Sequence, residues 1–506
     1  MDPGVAPMAR LTNDQYANTV VDVFEGLEAN ASLPEENVVD SFDNNVYNAS
    51  ISQVRADGLF DAALNIGEQV AVNPEGALGC TTVDDACIDS FIDDYGQKLW
   101  RRPLDDSEQA SLRTLYDSTS GEALPQRVDL LVAGMLMAPQ FLFRPEIGLP
   151  EASFPGIVPL TGYEIATRMA FLIWTSGPDD ALLAAAANDE LVSSEQIEAQ
   201  AWRMMDDPRA RRGMSHFLLQ WADVRELDMA SKDVTLYPDF GPEMVDSMKT
   251  ELELFLDRVV WDLDGSMTDL LTSNDTTVDA SLAQVYGVAH PGGDAWVDVT
   301  LPAEQRSGLL TLAAFLADKS HPIAPAPVQR GLFVRTAVLC QDIPAPPADV
   351  DTSVPEAGIS ETNRERTAAH STDPSCSGCH QYMDPLGFAF ENYDAVGSWR
   401  DTDNGHPVDA TGEVVQESGS VAFDGAIDMM GVLTAESDVL ECMATHMFRY
   451  GYGRRADPDA DAHSMALMLQ VNETHSGSLQ SLMVGLTQTD GFRFRRMNQG
   501  TAGGAR

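Results

Sequence analysis

Apolar residues recur at helical spacing along most of the chain. After a capping Thr12 or Asn13, Tyr16, Val20 and Phe24 follow at intervals of four, so they share one helix face. A second helix is predicted from Phe91 to about Arg101, stopped by Pro103. Asp105 with Glu108 then forms a capping box ahead of Leu112, Leu115 and Tyr116. Thr161 with Glu164 repeats that signature before the run RMAFLIW, which Gly177 and Pro178 end. Pro208 and Pro242 each read as first-turn prolines opening an amphipathic helix. Strand-like alternation is confined to short pieces, Trp296 to Leu301 and Val414 to Phe423. The predicted fold class is mainly α, with several consecutive helical modules and few short strands.

Breaks in this pattern mark connectors at Pro150 to Pro159, Gly287 to Pro302 and Pro344 to Gly358, the last with polyproline-like character from Pro344, Pro346, Pro347 and Pro355. The length of 506 residues suggests about three or four domains. The breaks divide the chain more finely: an N-terminal helical module over 8–70, a second over 76–146, a central helical domain over 158–286, a fourth module over 303–403 that contains the Pro-rich connector, and a closing helical module over 410–492. The sequence has no internal repeat of fixed period and no low-complexity tract.

Composition narrows the functional classes. Hydrophobic residues make up 44% of the chain, enough for packed cores, so the acidic excess does not signal disorder. The formal charge of −48 repels a phosphate backbone and an anionic lipid surface, which excludes nucleic acid as the expected partner. Of the 31 basic residues only Lys98, Lys232, Lys249 and Lys319 are lysines. A carboxylate-rich, lysine-poor surface suits a saline medium, where screening removes self-repulsion. The longest apolar candidate for a membrane span, Leu130 to Phe143, is interrupted by Gly134 and Pro139 and falls short of the roughly 18 residues required.

The six cysteines divide unevenly: Cys80 and Cys87 seven apart, Cys376 and Cys379 in the run CSGCH, and Cys340 and Cys442 alone. An even count distributed this way suggests two disulfides plus one functional pair, and an oxidising compartment; four buried thiols are the alternative for the outer cysteines. In Cys376-Ser377-Gly378-Cys379-His380, the C-x-x-C-H spacing lets two thiols add to the vinyl groups of one haem while the adjacent His380 offers an imidazole nitrogen to the iron. Three other readings compete. A redox dithiol would be expected in a thioredoxin-like setting that a helical chain lacks. Zinc held by His370, Cys376, Cys379 and His380 or His406 has suitable donors but not the usual second half of the spacing. A disulfide across two residues is strained.

The run HSTDPSCSGCHQYMDPLGFAFENYDAVGSWRDTD, His370 to Asp403, resembles the cytochrome-c-like segment of a family of secreted multidomain proteins of the planctomycete and myxobacterial type, built from consecutive domains of unknown function. RLTNDQYANTVVDVF, YGQKLWRRPLDDSEQ, LTGYEIATRMAFLIWTSGPDDALL, APVQRGLFVRTAVLC and LECMATHMFRYGYGR resemble further modules in the same order, so the resemblance covers nearly the whole chain. It implies an exported, mostly helical protein with one covalent haem c, thioether attachment at Cys376 and Cys379, and His380 as proximal ligand. It also implies a Cys340–Cys442 disulfide tying the haem segment to the closing module. Ala326 and Gln329 stand where related sequences usually have Ser and Lys, which argues against a role for those two positions.

The distal ligand is open. Met383 is too close in sequence to His380 to reach the other face of a porphyrin. Met429, Met430, Met443 and Met447 are as well explained as core filler, and His370 and His446 are the candidates. Trp399 and Arg400 have the donors to bind haem propionates, or else they form a packed indole and an ion pair. Asp384-Pro385-Leu386-Gly387 reads as a turn ending the haem helix. The acidic run from Asp457 lacks the Gly and the terminal Glu of a calcium loop. No catalytic residue is assigned.

The expected function is that of an exported c-type cytochrome-like protein transferring electrons to a redox partner, which the chain's charge would make basic. A haem peroxidase or oxygenase with an open distal site is one alternative, and a zinc-binding or structural surface scaffold another. Covalent haem requires attachment outside the cytoplasm. A signal peptide ahead of Met1 and a periplasmic, cell-surface or secreted location are therefore expected.

Overall fold

The computed structural model describes residues 8–29, 33–150, 155–343, 361–371, 376–416 and 419–496. The chain is mainly α-helical, and its strands form only two-stranded sheets among the described residues. It divides into two compact units, one of residues 1–216, 447–471 and 483–506 and the other of 217–446 and 472–482.

In the first unit, the Asn13–Val23 helix opens on a full capping box between Thr12 and Gln15. Tyr16, Val20 and Phe24 bury their predicted face in one core with Leu59, Ile66, Phe91, Leu99, Val132 and Phe141. The capping boxes at Asp105 with Glu108 and at Thr161 with Glu164 are formed as predicted. The Gln53–Val70 helix crosses the Leu124–Met137 helix at Gly67, where a Cβ would collide with the backbone of Asp129. The second predicted helix starts earlier than expected, running Asp85–Trp100, because Asp84 caps it and accepts from the Cys87 N–H. The Cys80–Cys87 disulfide ties this start to the preceding loop. Arg101, at φ 62°, closes the helix and donates to the carbonyls of Leu99, Gln140, Phe141 and Phe143. The Gly162–Ile173 helix ends before the predicted Gly177–Pro178 stop, because Thr175, at φ 53°, leaves the right-handed helical region.

In the second unit, the Pro242–Asp257 helix begins on its proline as predicted. The Trp296–Leu301 alternation is a real strand, Val297–Thr300, paired antiparallel with Asp275–Val278. The Val414–Phe423 alternation is a hairpin of Thr411–Gln416 with Gly419–Asp424. The Pro344 to Gly358 connector lies outside the described residues. One expectation is corrected: Asp384 to Gly387 is not a terminating turn but part of the Ser377–Phe388 helix, with Pro385 inside it. An interior proline costs about 3 kcal/mol in isolation. The helix nonetheless continues to Phe388. Gly331 of the Pro327–Phe333 helix sits against the Met383 carbonyl, and Gly387 sits against the Pro327 carbonyl, so two backbones meet where neither residue has a Cβ.

Arg330 anchors this crossing. Its side chain is fully buried and donates to the carbonyls of Leu316, Lys319, Phe390, Tyr393 and Asp394 and to the Ser320 hydroxyl. With burial the dominant influence, its pKa is pushed down to about 10, so the guanidinium still carries its charge at neutral pH.

Candidate functional site

Cys376 caps the Ser377–Phe388 helix, and its carbonyl accepts the N–H groups of Cys379 and His380, both at 3.2 Å. Cys376, Cys379 and His380 therefore share the first turn, as the C-x-x-C-H spacing requires. Cys376 is buried, while Cys379 and His380 are half-buried. Neither thiol belongs to a disulfide.

The His380 ring has a defined orientation. Its Nδ1 lies 2.9 Å from Oδ1 of Asp384, four residues along the same helix face. Asp384 is only 3% exposed, so the bond is largely shielded from water. A carboxylate at Nδ1 fixes the Nδ1–H tautomer and assigns the lone pair to Nε2, the nitrogen a metal would take. Asp384 does not stand out in the sequence, where Pro385 and Gly387 read as the end of the helix. The signal was present in the i, i+4 spacing from His380.

The residues after the motif are committed to one another. Arg400 donates to Glu391 at 3.0 Å, to Asp403 at 2.6 Å and to the Glu391 carbonyl at 2.9 Å. Trp399 donates from Nε1 to Asp401 at 3.0 Å and meets the Tyr393 ring edge-on. The packed indole and ion-paired guanidinium are thus the arrangement present. Glu391 also accepts from Asn363 at 2.8 Å, and burial raises its pKa above the ordinary value.

Each distal candidate has its own surroundings. The side chain of His370 lies outside the described residues. His446 is buried, with Nε2 3.6 Å from Cys340 Sγ, beside the Cys340–Cys442 disulfide. Met383 is buried, and Met429, Met430, Met443 and Met447 are at most 1% exposed, as core side chains are. His406 is exposed in the short His406–Pro407 strand.

Comparison with known families supplies the remaining context. The chain matches, in order, families described as Protein of unknown function (DUF1587) over residues 9–72, (DUF1595) over 87–146, (DUF1592) over 160–288, (DUF1588) over 306–403 and (DUF1585) over 419–492. The chain thus carries five consecutive family matches. The fourth family, PSCyt3, spans Cys376, Cys379 and His380. It and the closing match represent families associated with cytochrome c. No curated protein and no solved structure matches the chain. No described helix is long and apolar enough to cross a membrane.

Proposed function

We propose that this chain is an exported c-type cytochrome-like protein. One haem is joined to Cys376 and Cys379, its iron is bound by His380, and electrons pass to a redox partner. The observation that carries this reading is the His380–Asp384 bond of 2.9 Å on a helix whose first turn also holds both thiols. The donor set fits the group: two thiols outside any disulfide, and one imidazole with Nδ1 engaged and Nε2 assigned to the metal. Bound haem supplies a one-electron couple. The chain attaches it, orients the imidazole and sets the charge around it. The two disulfides support an oxidising compartment, and the net charge of −48 supports a basic partner.

The same carboxylate favours a second reading. A proximal imidazole hydrogen-bonded to a carboxylate is a more basic ligand and favours the ferric state, as suits an oxidoreductase with an open distal position.

Expression with a c-type maturation system, followed by optical spectroscopy, tests both readings. A covalent haem band lost in Cys376→Ser and Cys379→Ser is expected. A low-spin reduced form indifferent to CO supports electron transfer, and a CO complex supports the second reading. Bound zinc with no haem band overturns both.

A further inference from the structure

We propose that Asp14, Asp43 and His216 form a binding site for one divalent transition-metal ion, separate from the C-x-x-C-H motif. His216 Nε2 lies 3.1 Å from Asp14 Oδ2 and 3.5 Å from Asp43 Oδ2. All three donor atoms fall within 4.8 Å of one another. Ligands at about 2.0–2.2 Å from a shared zinc ion would be separated by similar distances. One imidazole nitrogen and two carboxylate oxygens are donors that zinc or manganese accepts.

The surroundings hold these three groups in place. His216 Nδ1 is 3.0 Å from the Tyr450 hydroxyl, which is itself 3.3 Å from Thr175 Oγ1, so the ring is oriented from behind with Nε2 facing the carboxylates. Asp43 sits in a loop fixed on both sides. Phe42 packs edge-on against Tyr450, Asn44 donates to the Tyr450 carbonyl at 2.8 Å, and the Val46 N–H donates to the Gly453 carbonyl at 3.0 Å. Asp14 is in the first turn of the Asn13–Val23 helix, with its side chain 60% exposed. A cation can therefore reach the site from solvent, and water can complete its coordination.

Two carboxylate oxygens converging on one nitrogen require positive charge between them. A proton on Nε2 is the minimal solution. A divalent ion supplies more charge from the same position and adds coordination to both oxygens. The ligands come from the first and third matched domains, Asp14 and Asp43 from residues 9–72 and His216 from 160–288, while the orienting Tyr450 comes from the fifth at 419–492. A bound ion would couple three sequence modules within the first unit.

The test is titration of the full chain with Zn²⁺ and with Mn²⁺ after chelator treatment, read by calorimetry and by metal content after gel filtration, with Ca²⁺ as control. Asp14→Asn, at an exposed position, and Asp43→Asn and His216→Gln are each expected to weaken one equivalent of Zn²⁺ binding at least tenfold, while Cys376→Ser leaves that equivalent unchanged. Circular dichroism of Asp14→Asn verifies that the loss is not one of folding. Zn²⁺ binding unaltered in all three variants, or no Zn²⁺ bound at micromolar concentration, overturns the proposal and leaves an imidazolium ion pair.

Discussion

Asp384 Oδ1 lies 2.9 Å from Nδ1 of His380, one turn along the same helix, and the carboxylate is almost wholly removed from water. With haem bound as proposed, the pair carries partial negative charge towards the iron. Replacing the carboxylate by an amide in Asp384→Asn should raise the midpoint potential by on the order of 60 mV, a tenfold change in the ferric to ferrous balance. Spectroelectrochemistry measures it, and an unchanged potential in a fully loaded variant would show that Asp384 does not tune the iron.

Arg330 is the second test of that region. Arg330→Lys keeps the charge but replaces a planar fork by one ammonium, which cannot serve five carbonyls on diverging segments. Several buried acceptors lose their donors at about 1–3 kcal/mol each, so a loss of at least ~3 kcal/mol is expected in urea unfolding. A midpoint within error of the parent would sink this account.

The disulfides should differ in weight. Cys340 and Cys442 close a separation of 102 residues, and Cys80 and Cys87 one of seven. By the loop-entropy relation these are worth about 4.7 and about 2.4 kcal/mol. Paired Cys→Ala substitutions compared by thermal unfolding should therefore show the larger loss for Cys340 and Cys442.

Glu251 predicts a pH dependence. It is fully buried, accepts from Tyr286 at 2.6 Å and Thr276 at 3.1 Å, and burial raises its pKa from 4.5 to about 7. Between those values the folded chain holds a proton that the unfolded chain has released. Stability from this group is thus full below pH 4.5 and falls as pH rises to about 7, by ~3 kcal/mol in total. Glu251→Gln should flatten the decline in Tm between pH 5 and pH 8; parallel curves for the two proteins would refute it.

Some of this was legible along the chain. The capping boxes at Asp105 and Thr161 were readable because their partners are three residues apart, and local chemistry decides them. His380 and its two cysteines were readable for the same reason. Asp384 was equally local, but Pro385 argued for a turn. In the structure the helix runs on through Pro385 to Phe388, against the Pro327–Phe333 helix at Gly331 and Gly387. Trp399 and Arg400 carried the right donors for propionates, yet their neighbours Asp401, Asp403 and Glu391 take up the bonds they make here.

The sequence by itself determined a mainly helical chain, its capping boxes at Asp105 and Thr161, its acidic surface and a C-x-x-C-H turn, because each depends on composition or on residues within a few positions of one another. Tertiary structure alone decided which side chains meet across long separations: Arg330 with the carbonyls near Tyr393, Cys340 with Cys442, and Asp14 and Asp43 with His216, 202 residues beyond Asp14. Such contacts depend on how helix faces dock, and docking is set by close backbone approach and complementary packing, which hydrophobic periodicity does not encode.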